Sequence, residues 1–443
     1  MIPTLNDMIR QGGFFCPDCE KKHEIDLRRL HLCRGAIENL PEEIRLAGGT
    51  RVFLLADPNT WAAAGQRAKD LLTEAGIPTD VCVLSDSHPA PNEESLGDAA
   101  MHLQPNDDVI LGVGGGVIND ISKMLAYTAR RPYIYLPTAP SMDGFASATA
   151  SVDLRGLKRS LPSAAAVAVL ADTDILAAAP VAMIRAGIGD MTSKIISLAE
   201  WKLGHIITGE YYCPTVDAMV ADSLARVMQC ARAAVQGDPN AIATLTGGLI
   251  LTGLAMRCAG VSRPASGCEH YFSHLRDMRA LAAHTRADFH GTQCGVSVLP
   301  LLRLYATLPA TTPDRAKALA HAKAFRYEDH AEALRRFVGA GSEEMIELES
   351  REGKYDPNRH AARLEIILAR WEEILDVVSK LPREEELAAF YEEIGFPTSP
   401  AEIGIEEEEL RACLRFAGDI RDKYVLPRLL WDLGLSKEIT LQI

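Results

Sequence analysis

From Gly48 to Asp174 short apolar runs alternate with stretches of helical spacing. The runs are Arg51–Ala56, Val81–Leu84, Asp108–Gly112, Pro132–Leu136 and Ala166–Ala171. They contain β-branched or aromatic residues and are bounded by Gly, Pro or Asp, a pattern that predicts strands buried on both faces. Apolar residues recur at helical intervals between them, over Thr60–Glu74 and Val117–Thr128. Alternating strands and helices predict a doubly wound α/β domain with a parallel sheet.

After Pro180 the strand pattern stops. Val181–His205, Thr215–Gln236, Ala241–Ala259, Gly295–Ala306 and Ala361–Lys380 all carry helical apolar spacing, which predicts an all-helical second domain. The boundary falls at Ala177–Pro180. The expected organisation is an N-terminal cysteine-containing extension (1–35), a nucleotide-binding domain (36–179) and a helical domain (180–443). Gly339–Asn358, charged and carrying Gly and Pro, predicts an exposed connection or short helices. The acidic run Ile405–Leu410 predicts a solvated helix start. The sequence contains no internal repeat.

Composition narrows the class. The 443 residues, 47% hydrophobic and 24% charged, suffice for two globular domains with sizeable cores. A net charge of −14 argues against nucleic acid and against an anionic membrane surface as partner. An anionic substrate would need a locally cationic pocket. No apolar run is read as approaching the roughly 20 residues of a membrane-spanning helix, and Met1–Gly13 lacks the pattern of a secretory signal. The expectation is a cytoplasmic protein without membrane attachment. The ten cysteines are scattered, many in apolar contexts (Cys82, Cys213, Cys230, Cys258, Cys413), as reduced core thiols would be.

One cysteine group differs. Cys16-Pro-Asp-Cys19, followed by His23 and Cys33, is similar to a small zinc knuckle, since two thiolates three positions apart can chelate one tetrahedral zinc. Free thiols and a redox pair are the competing readings.

The segment Asp108–Lys123 reads as a strand, a glycine run and a helix. Gly112, Gly114, Gly115 and Gly116 would let the backbone approach a pyrophosphate at a helix N-terminus; a plain tight turn is the alternative. Asp57, closing an earlier strand, either accepts the adenosine ribose hydroxyls, favouring NAD over NADP, or caps a helix. In the helical half, Asp190, His270, His274 and His290 stand out. His270 and His274 share a helix face, and an Asp with two or three His suits a divalent Lewis-acid site, although a His taken alone is more often a core or capping residue than a ligand.

Taken in order, several segments resemble the glycerol-1-phosphate dehydrogenase branch of the iron-containing alcohol dehydrogenase and dehydroquinate synthase superfamily. They are Gly112–Lys123, Pro137–Ser147, Ser262–His274, His290-Gly291, Lys354–Glu365 and Arg421–Pro427. The resemblance extends from about Leu32 to Leu435. It implies a Rossmann-like domain followed by a helical one, with the site in the cleft. It also implies a single divalent metal (zinc, nickel or iron) on Asp190, His270 and His290, with His274 beside the metal or touching substrate. The implied reaction is reversible reduction of dihydroxyacetone phosphate to sn-glycerol 1-phosphate with NADH or NADPH, by a homodimer serving phospholipid metabolism. Asn119 before Asp120, and Met142 where some members carry His, look closer to bacterial-type members.

On this reading Asp120 and Lys123 lie near the nicotinamide ribose and substrate, with Lys123 counted among the catalytic groups. Thr138, Ser141 and Asp143 hold the nicotinamide end or the polyol hydroxyls. Arg263 is the first candidate for the phosphate, because its fork matches two oxygens; a salt bridge is its alternative. Lys158 and Arg159 are weaker candidates, and Lys194 would support the Asp190 carboxylate. The rival enzyme readings are another polyol dehydrogenase and a dehydroquinate synthase-like carbon–oxygen lyase or cyclase. A non-enzymatic, cofactor-sensing regulator is a more distant one.

Overall fold

The structure, a computed structural model, describes residues 4–155 and 157–436. The chain divides into two compact units. One comprises the residues up to Met191 together with Pro214–Ser262; the other comprises Thr192–Cys213 and the residues from Arg263 onward.

Among the described residues the first unit has ten strands: β1 (Gly13–Cys16), β2 (Lys21–Glu24), β3 (Arg29–Cys33), β4 (Val52–Ala56), β5 (Thr79–Val83), β6 (Val109–Gly114), β7 (Tyr133–Pro137), β8 (Thr149–Leu154), β9 (Leu157–Pro162) and β10 (Ala168–Asp172). Six of them form one sheet in the order β3-β10-β7-β6-β4-β5, parallel throughout. β4, β6, β7 and β10 are buried along their whole length, which is why they read as unbroken apolar runs. On one face Val52, Leu54, Val109, Leu111, Ile134 and Leu170 pack against Leu40, Ile44, Leu71 and Leu72. The expected parallel α/β sheet is therefore present, with one strand more than the apolar runs predict. β3 escaped because Arg29-Leu-His-Leu-Cys33 is a half-exposed edge strand with alternating polarity.

Two antiparallel hairpins flank the sheet: β1–β2, and β8–β9 carrying Lys158 and Arg159. Cys33 lies exposed at the end of β3, opposite Asp172 in the parallel sheet. The expectation that it joins Cys16 and Cys19 is corrected, because sequence proximity does not survive its entry into a different sheet.

The helix Pro239–Ala259 also belongs to this unit. By length and composition it could cross a bilayer, contrary to the sequence reading, yet 72% of its apolar stretch is buried inside the protein. It packs so closely on the turn after β7 that a Cβ on Gly253 would lie 2.8 Å from the Asp143 carbonyl oxygen.

The second unit is helical, and no strand is found among its described residues. Val181–Thr208 is one continuous helix along which the chain passes from one unit to the other. The stretch Gly339–Asn358, expected as an exposed connection or short helices, contains the helix Ser342–Glu352 and buries Glu349 and Lys354. The acidic run starts the helix Glu407–Phe416, where carboxylates suit the positive end of the dipole.

Candidate functional site

The sheet contains a switch in strand order. From β4 the chain moves outward to β5, then returns to place β6 on the other side of β4. Such a reversal opens a crevice beyond the carboxyl ends of the two central strands. Asp57 directly follows β4, and Gly114 ends β6, with Leu55 and Gly112 in register. A Cβ on Gly114 would come within 2.6 Å of Ile118, so glycine there lets the following helix, Gly116–Ala129, close onto the strand. That helix starts at Gly115 without a side-chain cap, leaving its first N–H groups for an anion. Gly112 departs from the expected cradle. It lies inside β6 where a Cβ would meet Ser122 Oγ at 2.6 Å, so its role is packing of strand on helix. Asp57 is a cap: its Oδ1 accepts from the amides of Asn59 (2.9 Å) and Thr60 (3.0 Å).

The polar segment after β7 is held from two sides. Thr138, Ser141 and Asp143 are all buried. The Asp143 amide donates to Asp190 Oδ2 at 2.8 Å, which fixes one oxygen of that buried carboxylate. Asn119 donates to the Gly144 carbonyl at 3.1 Å and accepts from the Tyr133 hydroxyl at 2.8 Å. Lys123 is fully buried. Its Nζ donates to the Gly144 carbonyl, to Ser147 Oγ (3.0 Å) and to the Thr149 carbonyl (3.2 Å), with Asp120 Oδ1 at 3.8 Å. Burial lowers its pKa, opposed by Asp120 and Asp143. These three acceptors occupy the ammonium donors. The catalytic role expected of Lys123 is thereby corrected to a positioning one, the clamping of the turn that carries Asp143. Asp120, one helical turn earlier, is buried beside it.

In the helical unit, His270 and His274 lie on one face of the helix Cys268–Ala282, and His290 is the first residue of the helix His290–Tyr305. The rings of His270 and His290 meet edge to face with centroids 4.9 Å apart; His274 and His290 are 6.3 Å apart. His270 Nδ1 lies 2.9 Å from Glu269 Oε1. A ring that donates from Nδ1 to a carboxylate carries its lone pair on Nε2, the arrangement that prepares a histidine for a metal. Burial, and then the charge of Lys194, keep the His270 pKa well below its ordinary value, favouring the neutral ligand form. Ser273 Oγ is 3.0 Å from His290 Nδ1, and Cys294 Sγ is 3.6 Å from His290 Nε2. One ligand atom each from His270, His290 and Cys294 lies within 4.8 Å of the others.

Sequence reading gave no role to the acids behind these histidines. Glu269 Oε1 also accepts from the Gly267 amide (2.7 Å), and Glu200 accepts from the Cys268 (2.7 Å) and Leu426 (2.8 Å) amides. Burial, together with the neighbouring Glu200, pushes Glu269 up to about 8; burial pushes Glu200 up to about 7. The adjacency Glu269-His270 was the available signal for the first. Glu200 gave none, because its partners lie 68 and 226 residues away.

Arg263 is placed differently from its expected role. It is buried, with Nε 2.8 Å from Glu210 Oε2, Nη2 on Glu210 Oε1 and Nη1 2.9 Å from the Tyr424 carbonyl. Its fork already grips a carboxylate, so the salt-bridge alternative describes it and the phosphate reading is corrected. Lys194 donates to the Ala265 carbonyl at 2.9 Å, and Lys158 pairs with Asp153 at 3.3 Å.

The sequence profile of the family described as iron-containing alcohol dehydrogenase matches residues 31–180. Glycerol-1-phosphate dehydrogenase [NAD(P)+] of Halalkalibacterium halodurans is 36% identical over 307 residues, covering 68% of this chain and 77% of the relative. The protein of the same name from Bacillus licheniformis is 30% identical, covering 97% of this chain and 96% of the relative. Among solved structures, an archaeal halo-thermophilic alcohol dehydrogenase from a Red Sea brine pool shares the fold at a TM-score of 0.63 with 16% identity, over 96% of this chain and 98% of its own. Glycerol dehydrogenase from Schizosaccharomyces pombe does so at 0.59 with 16% identity, over 94% and 90%. With relatives this similar along most of its length, the chain belongs to the glycerol-1-phosphate dehydrogenase family, NAD(P)-dependent oxidoreductases with the fold of iron-type alcohol dehydrogenases.

Proposed function

We propose that this protein interconverts dihydroxyacetone phosphate and sn-glycerol 1-phosphate, with NAD(H) or NADP(H) as hydride partner and one divalent metal on Asp190, His270 and His290. The observation that carries the reading is the Glu269-oriented His270 beside His290, in a chain of this family. Asp190, one oxygen fixed by the Asp143 amide, supplies a hard oxygen donor. Two imidazoles and a carboxylate suit zinc, nickel or iron(II).

When bound, the metal supplies Lewis-acid polarisation of the substrate oxygen, worth several kcal/mol, and the nicotinamide supplies the hydride. The chain's own residues do the rest. Glu269 holds His270 in its Nδ1–H tautomer. Gly114, Gly115 and Gly116, with the uncapped helix start, receive the cofactor's pyrophosphate. Thr138, Ser141 and Asp143 orient the nicotinamide end and the polyol hydroxyls, while Asp120 faces the same segment. His274 carries the proton between the nascent alcohol oxygen and solvent. Asp57 as a helix cap leaves the choice between the two nicotinamides to other contacts. A cytoplasmic homodimer is the form we propose for the working enzyme.

The test follows NADH oxidation by metal-reconstituted protein with dihydroxyacetone phosphate, beside dihydroxyacetone. Balanced turnover consumes one NADH and one proton per ketone reduced. The expected result is phosphate-dependent oxidation giving a product that a glycerol-3-phosphate dehydrogenase of known stereospecificity rejects. Turnover only with an unphosphorylated polyol would move the assignment to another polyol dehydrogenase. Absence of net NADH consumption, with a product formed by elimination, would favour the lyase or cyclase chemistry.

A further inference from the structure

A second cluster of metal-ligating side chains lies in the sheet unit, outside the residues proposed for the reaction. β1 ends at Cys16, the tight turn Pro17–Glu20 presents Cys19, and β2 returns His23 opposite Phe14. Gly13 makes this hairpin tight. Its φ is +126°, and a Cβ there would lie 1.9 Å from the His23 carbonyl oxygen. The Sγ atoms of Cys16 and Cys19 and a ring nitrogen of His23 lie within 4.8 Å of one another. His23 is 1% exposed, unusual for a histidine in a short terminal hairpin. Its Nδ1 lies 2.6 Å from the Cys258 carbonyl oxygen, so Nδ1 is the protonated nitrogen and Nε2 carries the lone pair. That Nε2 faces Cys19 Sγ at 3.4 Å. In a tetrahedral zinc site, bond lengths near 2.3 Å to sulfur and 2.0–2.1 Å to nitrogen set the sulfur–nitrogen separation at about 3.6 Å.

A third thiol, the fourth donor of the set, is tethered to the same place. Cys16 Sγ is 3.3 Å from Thr215 Oγ1, which itself donates to Asp18 Oδ2. Cys213 precedes Thr215 by two residues, so covalent connection alone keeps their Cα atoms within about 7.6 Å. Cys213 is fully buried.

We propose that Cys16, Cys19, His23 and Cys213 form a structural zinc site separate from the reaction centre. The ion fixes the N-terminal hairpin to the start of the helix Pro214–Val235. Through the His23–Cys258 hydrogen bond it also ties the hairpin to the end of the helix Pro239–Ala259. A closed set of three thiolates and one imidazole leaves no position for substrate, which marks the site as structural. Binding releases the thiol protons to solvent, and no redox change is involved.

The test is cobalt(II) substitution of the full-length, reduced chain, read by absorption. The expected result is thiolate-to-cobalt charge transfer with the intense visible bands of tetrahedral geometry. It should persist in Cys294→Ser and His290→Ala, which remove thiol and imidazole from the other cluster, and in Cys33→Ser. Cys213→Ser should reduce the charge-transfer intensity by about one thiolate's share, and Cys16→Ser with Cys19→Ser should abolish it. If those two variants fail to fold, the wild-type spectrum still decides. Absence of thiolate charge transfer there overturns the proposal, as does its loss in Cys294→Ser. A Cys16–Cys19 disulfide in protein purified without reductant, found by peptide mass mapping, would also overturn it in favour of a redox pair.

Discussion

The helical unit holds two clusters of carboxyl groups and histidines set in different surroundings. One is Glu269, His270 and His290. The other is His330, Glu349 and Asp419, whose ligand atoms lie within 4.8 Å of one another. In the second cluster the polar atoms answer one another. His330 Nε2 is 2.9 Å from Asp419 Oδ2, the Tyr355 hydroxyl donates to Asp419 Oδ1 at 2.5 Å, and the Tyr327 hydroxyl donates to Glu349 Oε2 at 2.9 Å. Lys354 anchors the surround through the Gly418 and Arg421 carbonyls. Aromatic rings of Phe325, Tyr355 and Phe416 pack around His330. In the first cluster Glu269 Oε1 lies 2.9 Å from His270 Nδ1 and also accepts from the Gly267 amide, and the neighbouring ring is a second imidazole, His290. Composition alone would offer both as metal sites. What separates them is the surround: two imidazoles meet edge to face in the one we propose for the metal, whereas tyrosine hydroxyls and aromatic rings enclose the other as a packed polar core.

The sharpest way to break this contrast is to remove one imidazole from each cluster. His290→Ala should lower kcat/KM on the order of 10³-fold or more while leaving the melting temperature nearly unchanged, since the Lewis-acid contribution is several kcal/mol. Steady-state kinetics with differential scanning calorimetry checks both halves. His330→Ala should do the reverse. Breaking a buried charge-bonded network costs about 3 kcal/mol of stability, with kcat per folded molecule preserved; urea unfolding followed by circular dichroism measures it.

A smaller effect tests the orienting acid. Glu269→Gln should weaken metal affinity about 10- to 100-fold, the usual loss when a carboxylate behind a metal-binding histidine is changed. Competition against a chelator would read it, and an unchanged affinity would detach Glu269 from the metal.

The smallest effect is on pH dependence. Burial and the nearby Asp419 push Glu349 up to about 10, whereas hydrogen bonds from His330 and Glu349 hold Asp419 below the usual carboxylate range against the effect of burial. A raised carboxyl pKa means that the folded protein binds the proton more tightly than the unfolded chain. Stability from this group is therefore fully present below about pH 4.5 and is lost as pH rises towards 10. The slope cannot exceed about 1.4 kcal/mol per pH unit for one group. Glu349→Gln, which keeps a neutral partner for Tyr327, should flatten the fall in stability between neutral and alkaline pH. An unchanged profile would show that the proton resides elsewhere.

Much of this was legible in the chain. The four interior strands β4, β6, β7 and β10 appeared as apolar runs because a parallel sheet buries both faces. Gly114 to Gly116 fell between strand and helix where a turn demands small residues. His270 and His274 announced a shared face by their spacing of four. The edge strand β3 was hidden by its alternating polarity, and both hairpins by their shortness. Arg263 was misread because nothing local betrays Glu210, 53 residues earlier in the chain, as its partner. Lys123 was misread because its acceptors are backbone oxygens, which the side-chain sequence does not display.

The sequence by itself determined the interior strands, the long helices and the kinds of donor available, since hydrophobic period and residue chemistry are local properties. The tertiary structure alone decided which donors are already engaged. It set Asp57 to capping, Lys123 to clamping a turn, Arg263 to a buried ion pair and Cys33 to a sheet edge remote in role from Cys16 and Cys19. The physical reason is that a polar side chain's function depends on which of its atoms remain to be satisfied, and their partners come from distant parts of the chain that only folding brings together.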